Sequence, residues 1–351
     1  MNISDIDKYF FVSADFDTSG LDIYDINQNP FEINGLILPH GDEGIYRRMP
    51  KKVAEKVSDS VLYLSGNTSG GRVRFKTSSH SVAIFAVMGQ VGRMSHFPLT
   101  GSSGFDLYAD GIYAATFVPP YDMHNGYSSI KRIERDGEKD IVINFPLYSE
   151  VKALSIGLDK GASLYAPSGY KIKKPVVYYG SSITQGGCAS RPGNSYQAII
   201  SRKLGCDYIN LGFSGSARAE RAIAEYIASL EMSAFVYDYD HNAPTPQFLE
   251  QTHKPMFDII RRAQPKLPIV IVSMPRICLT AREKERLEII RSTYEKAKAK
   301  GDENVFFIDG SKMMREYSSD SGTVDGLHPN DYGFVGMAEC IGNVLSKIFN
   351  K

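Results

Sequence analysis

Two rhythms of apolar and polar positions divide the chain. Up to about residue 170 the apolar positions come in short runs. Residues 72–76 (Arg-Val-Arg-Phe-Lys) alternate with a period of two, 81–88 form an apolar run, and 140–145 alternate again. That period places successive side chains on opposite faces of a strand. Turn-forming clusters separate the runs: Ser65-Gly66-Asn67, Ser69-Gly70-Gly71, Gly101-Ser102-Ser103-Gly104 and Asp136-Gly137. Many short strands without helical periodicity predict an all-β sandwich, jelly-roll-like in type. A short helix near 50–56 is the one interruption.

From Lys174 the rhythm changes. Apolar-rich segments of strand length lie at 175–179, 207–211, 234–239, 268–272 and 305–308. Between them, 217–232, 247–263 and 282–300 repeat apolar residues every three or four positions, and 332–349 does so after Asn330-Asp331, which can cap a helix. Alternating strands and helices predict a parallel sheet with helices on both faces. The Pro/Gly/Lys-rich stretch 167–174 is the joint, giving two domains, 1–173 and 174–351.

Composition narrows the function classes. With 351 residues, 42% hydrophobic and 23% charged, the chain reads as a globular protein of two domains. Forty basic and forty acidic residues cancel, so no global field draws it to nucleic acid or to an anionic membrane. Residues 1–9 are polar and unlike a signal peptide, and no apolar run approaches the ~20 residues of a membrane span. A cytoplasmic protein is expected. Cys188, Cys206, Cys278 and Cys340 form no Cys-x-x-Cys pair, which suits free thiols in a reducing compartment. Cys188, six residues past Ser182, either lines a site or fills space.

Candidate chemistry begins where the first strand of the second half ends, at Gly180-Ser181-Ser182. Carboxyl ends of parallel strands are where reacting groups collect. A serine there is either a helix cap or a nucleophile. Far downstream, Asp325-Gly326-Leu327-His328-Pro329 precedes the last helix. A hydroxyl needs a base to take its proton, and an imidazole works best when a carboxylate orients it. Ser182, His328 and Asp325 are therefore a candidate triad. No Gly-x-Ser-x-Gly elbow is present.

These blocks resemble the SGNH, or GDSL-type, hydrolase superfamily, which implies a flavodoxin-like sheet carrying four short motifs. Gly180-Ser181-Ser182 matches the first, usually Gly-Asp-Ser, with Ser182 as nucleophile and Gly186 in place. Asn210-Leu211-Gly212-Phe213-Ser214-Gly215 matches the second, which supplies an oxyanion-hole glycine, Gly215, with Gly212 as fallback. The third, usually Gly-x-Asn-Asp, reads Asp240-His241-Asn242-Ala243 and keeps only Asn242. Asp325 and His328 match the last. The implied oxyanion hole is the Ser182 and Gly215 amides with the Asn242 side chain. Gly104-Phe105-Asp106-Leu107-Tyr108 resembles the Gly-x-Asp-Leu-Tyr signature of a sandwich domain that precedes such esterase domains.

The resemblance implies a serine esterase that removes acyl groups, acetyl foremost, from a carbohydrate without a cofactor. A small acetylated sugar or oligosaccharide fits better than an intact polymer. The competing readings are an acyltransferase to a sugar hydroxyl and a non-catalytic carbohydrate-binding protein on a hydrolase scaffold. Arg191 is either a substrate contact or solvated. Asp238, Asp240 and His241 cluster, but their strand geometry argues against metal binding. His253 reads as a helix histidine rather than a second base. Self-association through the sandwich faces is an open option.

Overall fold

The period-two segments of the first half form two antiparallel sheets. The computed structural model describes residues 3–7, 10, 12, 15–38, 44–276, 278–314 and 321–350, so part of the polar stretch 1–9 lies outside the described residues. After a short α1 (Ile3–Ile6), the strands are β1 (Leu21–Asp25), β2 (Glu32–Asn34), β3 (Arg72–Thr77), β4 (Ser81–Met88), β5 (Phe105–Ala109), β6 (Ile112–Phe117), β7 (Gly126–Arg132), β8 (Lys139–Asn144), β9 (Val151–Asp159) and β10 (Leu164–Tyr165). One sheet has the order β1-β9-β4-β7; the other runs β10-β3-β8-β5-β6, with β2 on β3. Inward side chains of both, among them Val82, Ile84 and Ile156 from the first and Phe75, Leu107 and Ile141 from the second, share one buried core. This is the sandwich that alternation predicts.

The second half is a five-stranded parallel sheet: β11 (Ile172–Gly180), β12 (Cys206–Gly212), β13 (Ala234–Asp238), β14 (Ile269–Val272) and β15 (Val305–Ile308), in the order β12-β11-β13-β14-β15. That order is the flavodoxin-like one, with a topological switch beside β11. Val177, Tyr179, Phe235 and Tyr237 enter one core, Val176, Tyr178, Ala234 and Val236 the other. Covering both faces requires such continuous apolar strands.

Helices α6 (Tyr196–Leu204) and α10 (Asp331–Phe349) cover one face, and α7 (Arg221–Ser229), α8 (Pro246–Ala263) and α9 (Ala281–Ala299) the other. Their caps are legible in the chain: Thr245 on α8, a Thr280/Glu283 capping box on α9 and Asn330 on α10. Helix α7 is shorter than the periodicity over 217–232 implies. Gly215 and Ala219 hold φ of +66° and +57°, which no right-handed helix accommodates.

The expected helix near 50–56 is α2 (Lys51–Val57), followed by an unanticipated α3 (Asp59–Ser65). Their Ala54, Val61 and Leu64 pack with Phe213, Ile223 and Tyr237 rather than with the sandwich core. The first half of the sequence thus completes one face of the second. Among the described residues, no helix is long and apolar enough to cross a membrane.

Candidate active site

Strand register brings the motifs together. Gly180 lies level with Gly212 on one side and Asp238 on the other. The segments leaving these three strand ends carry Ser182, Gly215 and Asn242. Gly180 admits no side chain: a Cβ would stand 2.2 Å from the Thr184 hydroxyl and 2.3 Å from the Asp238 carbonyl. The chain then turns into α5 (Ser182–Gln185), with Ser181 accepting from the Ile183 amide as N-cap. The two serines are placed differently: Ser181 caps the helix and Ser182 faces His328.

Ser182 Oγ is 3.0 Å from His328 Nε2, and His328 Nδ1 is 2.7 Å from Asp325 Oδ2. The other Asp325 oxygen accepts from the His328 and Leu327 amides at 2.7 and 3.0 Å. Burial pushes the Asp325 carboxyl up, but the His328 side chain and those two amides outweigh it and hold it down at about 2. It stays anionic and fixes a proton on Nδ1, leaving the Nε2 lone pair for the serine. The loop is held by Val324 donating to the His328 carbonyl and by the Asn330 cap that starts α10. Three sequence-predicted residues, 146 positions apart at the extremes, thus form one hydrogen-bonded line.

The oxyanion candidates differ in what already engages them. Gly215 has left-handed backbone and open space where a Cβ would stand. The Gly212 amide is donated to the Asn210 side chain at 2.8 Å. Asn242 Nδ2 donates one hydrogen to the Phe213 carbonyl at 2.9 Å, tying the third motif to the second. Its second N–H is the one that could serve an oxyanion.

Two carboxylates at and just beyond the end of β13 brace the fold. Asp238 accepts from the Thr184 hydroxyl at 2.9 Å and so ties β13 to α5. Burial, reinforced by the nearby Asp240 charge, pushes its carboxyl up to about 8. Asp240, raised by burial to about 6, accepts from the Met274 amide. Folded, Asp238 keeps its proton to about pH 8; unfolded, it loses it near 3.8. Its contribution is therefore intact at low pH and lost as pH rises through that window. An Asp238→Asn variant is expected to melt higher than the wild type at about pH 8.5, the gap closing by about pH 4. Thermal melts at the two pH values check this; equal melting points at both would refute it.

Arg191 is held by the sandwich half. It donates to Asp106 and Tyr108 of the Gly-x-Asp-Leu-Tyr segment and lies over the Tyr113 ring. His253 is buried, stacked 4.4 Å from Tyr237 and paired with Thr293, and burial lowers it to about 3. His241 is lowered to about 4, above all by burial.

Sequence reasoning missed what the sandwich half contributes. Arg48, almost wholly buried, donates to the carbonyls of Leu64, Asn67, Asn210 and Gly212, four backbone oxygens from both halves. Burial lowers its guanidinium to about 9. Ser69 donates to the Gln185 carbonyl, and Tyr148 to that of Ser182. These contacts grip α5 and the end of β12. His96 reaches the triad itself, its ring 5.7 Å from that of His328. No local pattern announces an isolated arginine or histidine as such a contact.

Comparisons with known proteins agree with this fold. Residues 173–346 match the GDSL-like lipase/acylhydrolase family, and residues 21–164 match the N-terminus of Esterase_SGNH_hydro-type proteins, called GxDLY. The chain is similar to a protein described as a GDSL-like lipase from Bacteroides ovatus, with 27% identity and a TM-score of 0.83 over 94% of this chain and 98% of that one. It is similar in fold to the salicylyl-acyltransferase SsfX3 of a tetracycline biosynthetic pathway, at 19% identity and a TM-score of 0.78 over 94% and 98%. A family two carbohydrate esterase from Clostridium thermocellum, solved in complex with cellohexaose, aligns at 15% identity and a TM-score of 0.64 over 91% and 99%. No curated protein matches the chain. With both halves matched, in this order and with this fold, the chain belongs to the SGNH/GDSL-type hydrolase superfamily, in the subgroup with an N-terminal GxDLY domain.

Proposed function

We infer that the chain is a serine esterase that removes acyl groups, acetyl foremost, from a carbohydrate. The observation that carries the reading is the unbroken line Ser182–His328–Asp325, at 3.0 and 2.7 Å. His328 takes the Ser182 proton as Oγ attacks the ester carbonyl, and Asp325 stabilises the imidazolium. The Ser182 and Gly215 amides and the free N–H of Asn242 hold the tetrahedral oxyanion, each donor supplying about 3 kcal/mol. The imidazolium then protonates the departing sugar oxygen. Water, deprotonated by the same histidine, releases the acid from the acyl-serine.

The sugar class rests on carbohydrate esterases of the same fold, which support the reading without fixing it. A fluorophosphonate is expected to label Ser182, located by peptide mass spectrometry, and acetylated oligosaccharides are expected to release acetate. Labelling elsewhere, or none, would refute the nucleophile assignment. Release of acetate from simple aryl esters but from no sugar would remove the carbohydrate class alone. Acyl transfer is the second reading, because the acyl-serine is common to both reactions and a structural relative is named an acyltransferase. An acetylated acceptor sugar formed without free acetate would favour it.

A further inference from the structure

Three side chains of types that can ligate a metal, from three separate segments, meet around His328. His96 comes from the segment between β4 and α4 (Leu99–Ser102) of the sandwich half, Cys188 follows the nucleophile helix, and His328 is the proposed base. One ligand atom from each lies within 4.8 Å of the others. His96 Nε2 is also 4.0 Å from Asp325 Oδ2. Cys188 is buried, 4% exposed, and holds a left-handed backbone with φ of +75°. Such a conformation in a residue with a side chain persists only where the surroundings over-determine it. His96 is half exposed, with 47% of its side chain open to solvent.

We propose that His96, Cys188 and His328 form an inhibitory binding site for a thiophilic divalent cation, zinc foremost. Two imidazoles and a thiolate suit zinc in an open three-ligand site, with a fourth position left for water. Tetrahedral zinc with bonds of ~2.0–2.3 Å needs its ligand atoms about 3.4–3.6 Å apart. With ligand atoms as much as 4.8 Å apart, the cluster must therefore close by roughly 1 Å around the ion. On binding, the Cys188 S–H bond breaks, its proton goes to solvent and a sulfur–zinc bond forms; no electrons are transferred. A cation held here disables His328 through either ring nitrogen. On Nε2 it occupies the lone pair that receives the Ser182 proton; on Nδ1 it displaces the proton that Asp325 orients.

That a bound cation stops turnover rests on the esterase reading; that the cation binds does not. The test therefore has two readouts. Chelator-treated full-length protein, with the exposed Cys278 changed to serine to remove a competing thiol, is titrated with cobalt(II) and then with zinc. One equivalent of cobalt is expected to produce a thiolate-to-cobalt charge-transfer band that zinc displaces. Cys188→Ala should abolish the band, and His96→Ala should weaken cobalt binding at least about tenfold. In the second readout, zinc inhibits p-nitrophenyl acetate hydrolysis, each variant being compared with itself before metal is added. The zinc concentration for half-inhibition should rise at least about tenfold in both variants.

Absence of the band, or variants as sensitive to zinc as the parent, would overturn the proposal. If Cys188→Ala does not fold, His96→Ala decides by the same criteria. A band in a protein inert toward esters would sink the esterase reading and leave the metal site standing. Ester hydrolysis with no cobalt band would do the reverse.

Discussion

Alanine at position 182 is expected to lower kcat/KM for p-nitrophenyl acetate roughly 10,000-fold or more, with no measurable loss of folding stability. Without Oγ there is no acyl-enzyme, and His328 can only activate water directly. The oxyanion donors remain, so a residual rate above the uncatalysed one is expected. Stability should hold because, among the described residues, the Ser182 hydroxyl hydrogen-bonds only to His328 Nε2, while the helix cap belongs to Ser181. Alanine is also a better helix former than serine. Ser181→Ala is the matching control. It removes the bond to the Ile183 amide, costing about 1 kcal/mol of stability, but keeps the nucleophile. Steady-state kinetics and denaturant melts on both variants decide the matter. Retained activity in Ser182→Ala, or a collapse confined to Ser181→Ala, would move the nucleophile or end the triad.

The parts of this site that were legible in the chain are those written in short local patterns. Apolar strand segments ending in Gly180, Gly212 and Asp238 placed three motifs at one edge, because parallel strands in register end level. The Asp-x-x-His loop and the Asn330 cap could be read the same way. What stayed hidden depends on contacts across long stretches of sequence. Arg48 meets Gly212 across 164 positions, and no periodicity marks which arginine will be buried. Helices α2 and α3 carry ordinary amphipathic patterns, and nothing local says they will pack on the α/β half instead of the sandwich. Arg191 stood on the loop after the nucleophile, where proximity in sequence suggested substrate. Its partner, Asp106, lies 85 positions away, in a segment whose chemistry the sequence left blank.

That partnership carries the second large effect. Asp106 is fully buried, and burial pushes its carboxyl up against the opposing pull of Asn144, Arg191 and Gly193. One oxygen accepts from Asn144 at 2.8 Å within the sandwich. The other accepts from the Arg191 guanidinium at 2.9 Å and from the Gly193 amide at 2.8 Å, both in the α/β half. A Cβ on Gly193 would stand 2.6 Å from that oxygen, so the turn is built to bring backbone against carboxylate. Asp106→Ala leaves a partly buried guanidinium and a buried amide without their acceptor, and is expected to cost about 3–5 kcal/mol. Against a total stability of about 5–15 kcal/mol, that is a large fraction. Asp106→Asn keeps the shape and the bond to Gly193 but gives up the charge, so its cost should be smaller. Adding Arg191→Met to Asp106→Ala should recover part of the loss, because the orphaned charge goes with it. Denaturant unfolding of the wild type, Asp106→Ala, Arg191→Met and the double variant measures this coupling, with Asp106→Asn alongside. A loss under about 1 kcal/mol for Asp106→Ala, within the range of ordinary surface substitutions and their errors, would mean that water replaces the carboxylate and that the domain junction is held elsewhere.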